Sequence, residues 1–212
     1  MATASQSLFN MTVASDNAGG NQGLLMPKLQ YRFRVNFLNF GVDAAGGLNL
    51  TKQVIDCSRP NLSFAEIPLQ VYNSTIKLAG KHSWTDMTVN IRDDASGTVA
   101  KAVGQQLQKQ LDFVEQASAA TGQDYKFQTN IEILDGGNGT SAPVVLETWE
   151  LYGCFVKTAN YNTLNYGTNE AVTIGLTITY DNAIQSPLAS GVGASIGRIR
   201  AGDSSTGIGA AT

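Results

Sequence analysis

The sequence has little of what catalysis needs. Its 212 residues include one histidine, His82, and two cysteines, Cys57 and Cys154. Catalytic metal sites draw on several His, Cys or carboxylate ligands at close spacing. That supply is missing, so neither a metal nor any other cofactor is expected. Two distant cysteines outside a cysteine framework read as small buried apolar residues rather than a bridge. Charge is scarce too, at 15% of residues against roughly 25% in an average soluble domain. The net charge of −3 leaves no basic footprint for nucleic acid at whole-chain level. No apolar run approaches the ~18 residues of a membrane helix. The opening MATASQSLFNMTVASDNAGG lacks the basic and apolar regions of a secretory leader, and none is expected.

Glycine, by contrast, is plentiful, with 22 residues, and the chain divides into three zones. Residues 1–27 are small and polar, and read as an N-terminal arm. Residues 28–185 hold nearly all the periodic apolar pattern, and read as one β-domain. Residues 186–212 form a Gly/Ser/Ala-rich C-terminal arm, a composition that cannot bury a core of its own.

The middle zone is mostly strand. Tyr31, Phe33, Val35 and Phe37 alternate with polar residues, as do Met87, Val89 and Ile91, and then Ile174, Leu176, Ile178 and Tyr180. Period-two patterns of this kind mark antiparallel strands with one face on a core. KFQTNIEIL, residues 126–134, reads as another such strand before a turn in LDGGNGTSAP. VLETWELYGCFVK is apolar on both faces, which calls for a strand between two layers or one covered by another subunit. Val99, Val103, Leu107, Leu111 and Val114 recur at helical spacing, with Gly122 as a stop. The fold class expected is mainly β, an antiparallel barrel or sandwich with one flanking amphipathic helix.

Candidate chemistry fails on context. GASIG, Gly193 to Gly197, matches a nucleophile elbow, but such an elbow follows a strand and precedes its histidine. Ser195 lies in the tail, and His82 comes far upstream. GVGASIG follows no strand and so fails as a dinucleotide fingerprint. Asp135 in LDGGNGT is too few carboxylates for calcium. Asp93 and Asp94 read as charge at a helix N-terminus rather than a catalytic pair. No enzyme is expected. A sugar-binding sandwich remains a competing class, and an esterase has only GASIG behind it.

Three pieces in order carry a resemblance: PKLQYRFRVNFLNFG, then VIDCSRPNLSFAEIPLQVYNSTIKLAGKHSWTDMTVNIRDD, then, after a helix, WELYGCFVKTANYNTLNYGTNEAVTIGLTITYDNA. Over residues 28–185 the chain resembles the tail-tube proteins of contractile-tailed, T-even-type phages. These are related to the tube proteins of type VI secretion systems and contractile bacteriocins. The resemblance implies hexameric rings stacked into a tube, a conduit for genome ejection in a virion tail assembled in the host cytoplasm. It implies as partners further copies of the chain, a surrounding sheath protein, and the tape-measure protein, baseplate and tail terminator. Phage DNA would pass through the lumen without specific binding, and no small-molecule substrate is implied. The alternative is the tube of a type VI secretion system or bacteriocin.

One segment points to a surface. Residues 58–73 carry Leu62, Phe64, Ile67, Leu69, Val71 and Tyr72, while Pro60 and Pro68 exclude them from a central strand. An apolar segment outside the sheet marks either a partner surface or a lid folded back on its own core. The family's corresponding loop reaches the adjacent ring, which the resemblance extends to these six residues as candidate interface.

Overall fold

The computed structural model describes residues 28–42, 46–135 and 143–186. Both arms, the GASIG segment and the apex of the LDGGNGTSAP turn lie outside the described residues. The chain divides into two units, residues 1–32 and 33–212. In the first, a turn is closed where the Arg32 amide donates to the Leu29 carbonyl at 3.2 Å.

In the second, β1 (Phe33–Leu38) leads through helix α1 (Gly46–Gln53) to β2 (Val54–Cys57), and β3 (Asn61–Val71) turns back as β4 (Ser74–Thr85). Then come β5 (Met87–Arg92), α2 (Thr98–Gln110), the short pair β6 (Leu111–Asp112) and β7 (Ala117–Ser118), and α3 (Gly122–Tyr125). The long strands β8 (Phe127–Leu134), β9 (Val145–Asn160) and β10 (Thr173–Thr179) follow, and β11 (Asn182–Ser186) ends the described chain. The main sheet runs β1-β8-β9-β10-β5-β2, all neighbours antiparallel, with β11 also on β9.

Strand β9 explains how one sheet makes two layers. Its first half takes β8 and β11 as partners, and its second half takes β10. Between the halves Gly153 has φ +68°, and a Cβ there would overlap the Asp181 carboxylate. The bulge switches which side chains point inward, from Trp149 and Leu151 before it to Cys154 and Val156 after it. Opposite, Thr179 faces Phe155 and Asn182 faces Tyr152, so β10 and β11 bend with it. The expectation of a strand apolar on both faces is therefore corrected. The inward parity changes halfway, and Phe155 does not share a buried face with Trp149.

Between the layers lie Val35, Phe37, Ile131 and Leu151 on one side, and Val89, Ile91, Leu176 and Ile178 on the other. Helix α2 adds Val99, Ala102 and Val103. Its buried Gln106 accepts from the Gly41 amide at 3.0 Å and donates to the Tyr125 carbonyl at 2.6 Å, so its polar ends are matched. The end strands β1 and β2 do not pair, so the described sheet is an open sandwich rather than a closed barrel.

Three helices are described instead of one, and α2 is shorter than its apolar spacing predicts. It ends at Gln110, because the Asp112 carboxylate takes the Val114 and Glu115 amides at 2.9 and 3.3 Å and draws the chain into a turn. Leu111 is extended and Val114 stands in solvent. Gly122 opens α3, whose Thr121–Asp124 capping box supplies its start. At the other end of α2, Asp94 accepts the Thr98 and Val99 amides at 2.9 and 3.4 Å. This is the helix-terminal charge expected of that acidic pair. Hydrogen bonds from Ser96 first, then Thr98, hold its carboxyl down at about 2.

Candidate assembly interface

The hairpin β3–β4 stands outside the main sheet as a two-stranded ribbon. Its register sets Ile67 opposite Leu78, Leu69 opposite Ile76 and Val71 opposite Ser74. Side chains two apart along a strand share a face. Ile67, Leu69, Val71, Ile76 and Leu78 thus form one apolar stripe. The other face pairs Glu66 with Lys77 at 2.8 Å and Gln70 with Thr75 at 2.9 Å. The ribbon is as amphipathic as any strand of the core, yet the five residues of its stripe are 45–49% exposed.

The six sequence-predicted residues are not all brought together. Ile67, Leu69 and Val71 share the stripe. Leu62 and Phe64 have the opposite parity, near the root, opposite Trp84 and His82. Tyr72 caps the turn with φ 43° and is fully exposed. The segment is a paired strand, with Pro68 opposite Lys77, as an edge position allows. Sequence reasoning passed over Ile76 and Leu78, although their alternation in STIKLAG carried the signal. A bulge beyond Phe64 re-aims the outer half. At its centre Gly80 has no room for a side chain, since a Cβ would stand 2.9 Å from the Ala65 carbonyl oxygen.

The root of the hairpin is fastened to the main sheet. Arg59, just before β3, donates to Glu147 at 2.9 Å. That carboxylate is buried, and the same oxygen accepts Trp149 Nε1 at 2.7 Å and Gln185 Nε2 at 2.8 Å. Charge-assisted donors of this kind are what a buried carboxylate requires. On the β4 side, Trp84 packs on Tyr180 with ring centroids 5.7 Å apart. Asp86 accepts Lys157 Nζ at 2.6 Å and the Thr179 hydroxyl at 2.9 Å, and these bonds, Lys157's first, lower its pKa.

Elsewhere the described residues hold no group of three or more His, Cys, Asp or Glu placed for a metal. His82 lies between the rings of Phe64 and Trp84, 6.4 Å from each. Cys57 and Cys154 are free thiols, each pushed up to about 11, chiefly by burial. Among the described residues no helix is long and apolar enough to cross a membrane.

A mainly antiparallel β-sandwich with flanking helices and a long projecting hairpin defines the fold class. It is the fold of proteins in contractile injection machines. A chain from the sheath/tube terminator of an extracellular contractile injection system matches with a TM-score of 0.57 at 14% identity, covering 77% of this chain and 99% of that one. A chain from the sheath–tube complex of such a system matches at 0.55 and 15%, over 77% and 93%. One from the anti-feeding prophage tube-terminating cap matches at 0.56 and 13%, over 81% and 99%. No protein-family model and no curated protein matches the chain. At such identities the likeness establishes the fold, and it is the fold that the sequence resemblance implied.

Proposed function

We propose that the chain is a structural subunit of the inner tail tube of a contractile phage tail. Copies close into hexameric rings, the rings stack, and the tube conducts the genome into the host. The carrying observation is the hairpin stripe, a solvent-facing apolar surface on a ribbon whose root is tied to the core. An isolated two-stranded ribbon is marginal in water, and a patch of this kind marks a partner surface. Ile67, Leu69, Val71 and Tyr72, with Ile76 and Leu78, meet the next ring, while Leu62 and Phe64 pack nearer the root. The end strands β1 and β2 leave ladder groups open, a hazard that pairing between neighbours removes.

A sheath surrounds the tube, baseplate and terminator close its ends, and a tape-measure protein fills the lumen before DNA passes. The outward side of β5 and β10 carries Thr88, Asn90, Thr173, Thr177 and Thr179, with Arg92 as its one cation. A hydroxyl and amide wall offers a polyanion few cations to grip. The particle is a virion tail assembled in the host cytoplasm, and the subunit catalyses nothing. A second reading, favoured by the fold likeness to extracellular contractile injection systems, is the tube of a type VI secretion system or contractile bacteriocin.

Light scattering and negative-stain microscopy of the purified chain test the proposal. Rings or tubes at raised concentration are expected, and a stable monomer at high concentration and physiological salt overturns it. Nuclease-protected DNA in native particles separates the phage reading from the second.

A further inference from the structure

The hairpin has a counterpart at the far end of the sheet. β4 passes through Asp86 straight into β5, so the hairpin springs from the Met87 end of that strand. At the other end Arg92 stands opposite Thr173, and the Asp93 amide donates to the Val172 carbonyl at 2.9 Å. The loop of residues 161–172, joining β9 to β10, therefore leaves the sheet at the Arg92 end. A strand length of roughly 20 Å separates it from the hairpin root.

This loop carries a second exposed apolar group. Leu164 and Tyr166 stand in solvent, with Tyr161 and Val172 half-exposed, around a concavity of about 500 Å³ that includes Glu170. Its shape is preset. The Asn162 side chain donates to the Thr173 carbonyl and hydroxyl at 3.0 and 2.8 Å, and the Gly167 amide donates to Asn165 at 2.8 Å. Charge is complementary as well. Glu170 is the loop's only charged residue, whereas the hairpin carries one more cation, Lys81, beyond the Glu66–Lys77 pair of its polar face.

We propose that the β9–β10 loop is the acceptor for the hairpin of a second copy of this chain, stacking copies head to tail. The inference rests on the tube reading and names the surface it lacks. A donor at one end and an acceptor at the other form a heterologous contact, which propagates along an axis instead of closing a dimer. A preset acceptor also spares part of the ordering cost of association.

Cysteine crosslinking of the full chain tests this. Tyr72→Cys and Leu164→Cys are made singly and together, and assemblies are oxidised with copper–phenanthroline. The double variant should give a ladder of dimer, trimer and higher species on non-reducing gels. The two single variants mixed should stop at dimer, and each alone should remain at the wild-type background of Cys57 and Cys154. Leu164→Asp should leave rings intact and abolish tubes.

Tubes from the double variant with no ladder would place the acceptor elsewhere and leave the tube reading standing. Dimers from Tyr72→Cys alone would mean hairpins meet each other, which overturns the head-to-tail assignment. A wild-type chain that forms neither rings nor tubes overturns the tube reading itself.

Discussion

Ile174, Leu176 and Ile178 of β10 and Ile67, Leu69 and Val71 of β3 are one pattern with two fates. Each set occupies alternate positions of an antiparallel strand, with polar or small residues between. The first set is 0–1% exposed and the second 45–47%. Local chemistry builds both strands, because alternation is all a half-buried strand needs. What differs is the neighbour. β10 lies between β9 and β5 with a second layer over its face, and among the described residues β3 pairs with β4 alone. The core strand is covered by its own chain, and among the described residues nothing covers the hairpin stripe to the same degree.

Charging the exposed set should have the largest effect. Ile67→Asp or Val71→Asp should cost on the order of several kcal/mol at each desolvated contact, repeated around a ring. Hexamers should persist in light scattering while tubes vanish from micrographs. Normal tubes from both variants would remove the stripe from the stacking surface. Unfolding of both would make the hairpin a lid on its own core.

Truncation weighs the two fates against each other in the dissociated subunit. Leu176→Ala should lose about 2–5 kcal/mol in urea titrations, as buried leucines do. Leu69→Ala should stay within about 0.5 kcal/mol, the range of ordinary surface changes. Equal losses would mean that the stripe is already covered within one subunit.

A smaller effect is expected where the two regions are joined. Arg59→Ala removes the cation from Glu147, whose side chain is 3% exposed while that of Arg59 is 58% exposed. The carboxylate keeps the donors of Trp149 and Gln185. Solvent around the arginine weakens the pair, so the loss should be about 1–3 kcal/mol. Limited proteolysis should show earlier cleavage in the hairpin. Unchanged stability and unchanged cleavage would show that the root is held by Trp84 and Asp86 alone.

How far these features could be read from the residues follows the same division. β1, β5, β8 and β10 were legible because Val35, Val89, Ile131 and Leu176 each sit in unbroken alternation. The parity switch in β9 was not. It depends on Gly153 meeting Asp181, a residue of the link between β10 and β11. The end of α2 was hidden because Leu111 and Val114 continue the helical spacing while Asp112 draws the backbone away. At the interface, Pro60 and Pro68 correctly argued against a central strand, and the alternation of Ile76 and Leu78 was there to be read, yet setting them on one stripe with Ile67 and Leu69 needed the register with β4. The acceptor loop was missed altogether. Tyr161, Leu164 and Tyr166 show no period, and their meaning comes only from lying across the sheet from the hairpin.

The last and smallest effect is at Asp94, where α2 begins beside the acceptor end of the sheet. Its carboxyl is held down to about 2, from an ordinary value of 3.8. A group with a depressed folded pKa adds stability above its unfolded value and loses it as pH falls through the folded one. The Asp94 contribution should therefore fade between about 4 and about 2. Asp94→Asn keeps an oxygen for the Thr98 and Val99 amides but removes the charge that attracts them. Thermal melts of the two proteins should differ near neutrality and converge across that acid window. Asp86 and Asp112 are also lowered, but both titrate in wild type and variant alike and cancel in the difference. A gap that persists to the lowest pH would assign the loss to altered geometry instead of charge. Because the carboxylate is exposed to water, the gap should be the smallest of the four. It should also leave tubes intact, since Asp94 belongs to the part of the molecule that one subunit completes by itself.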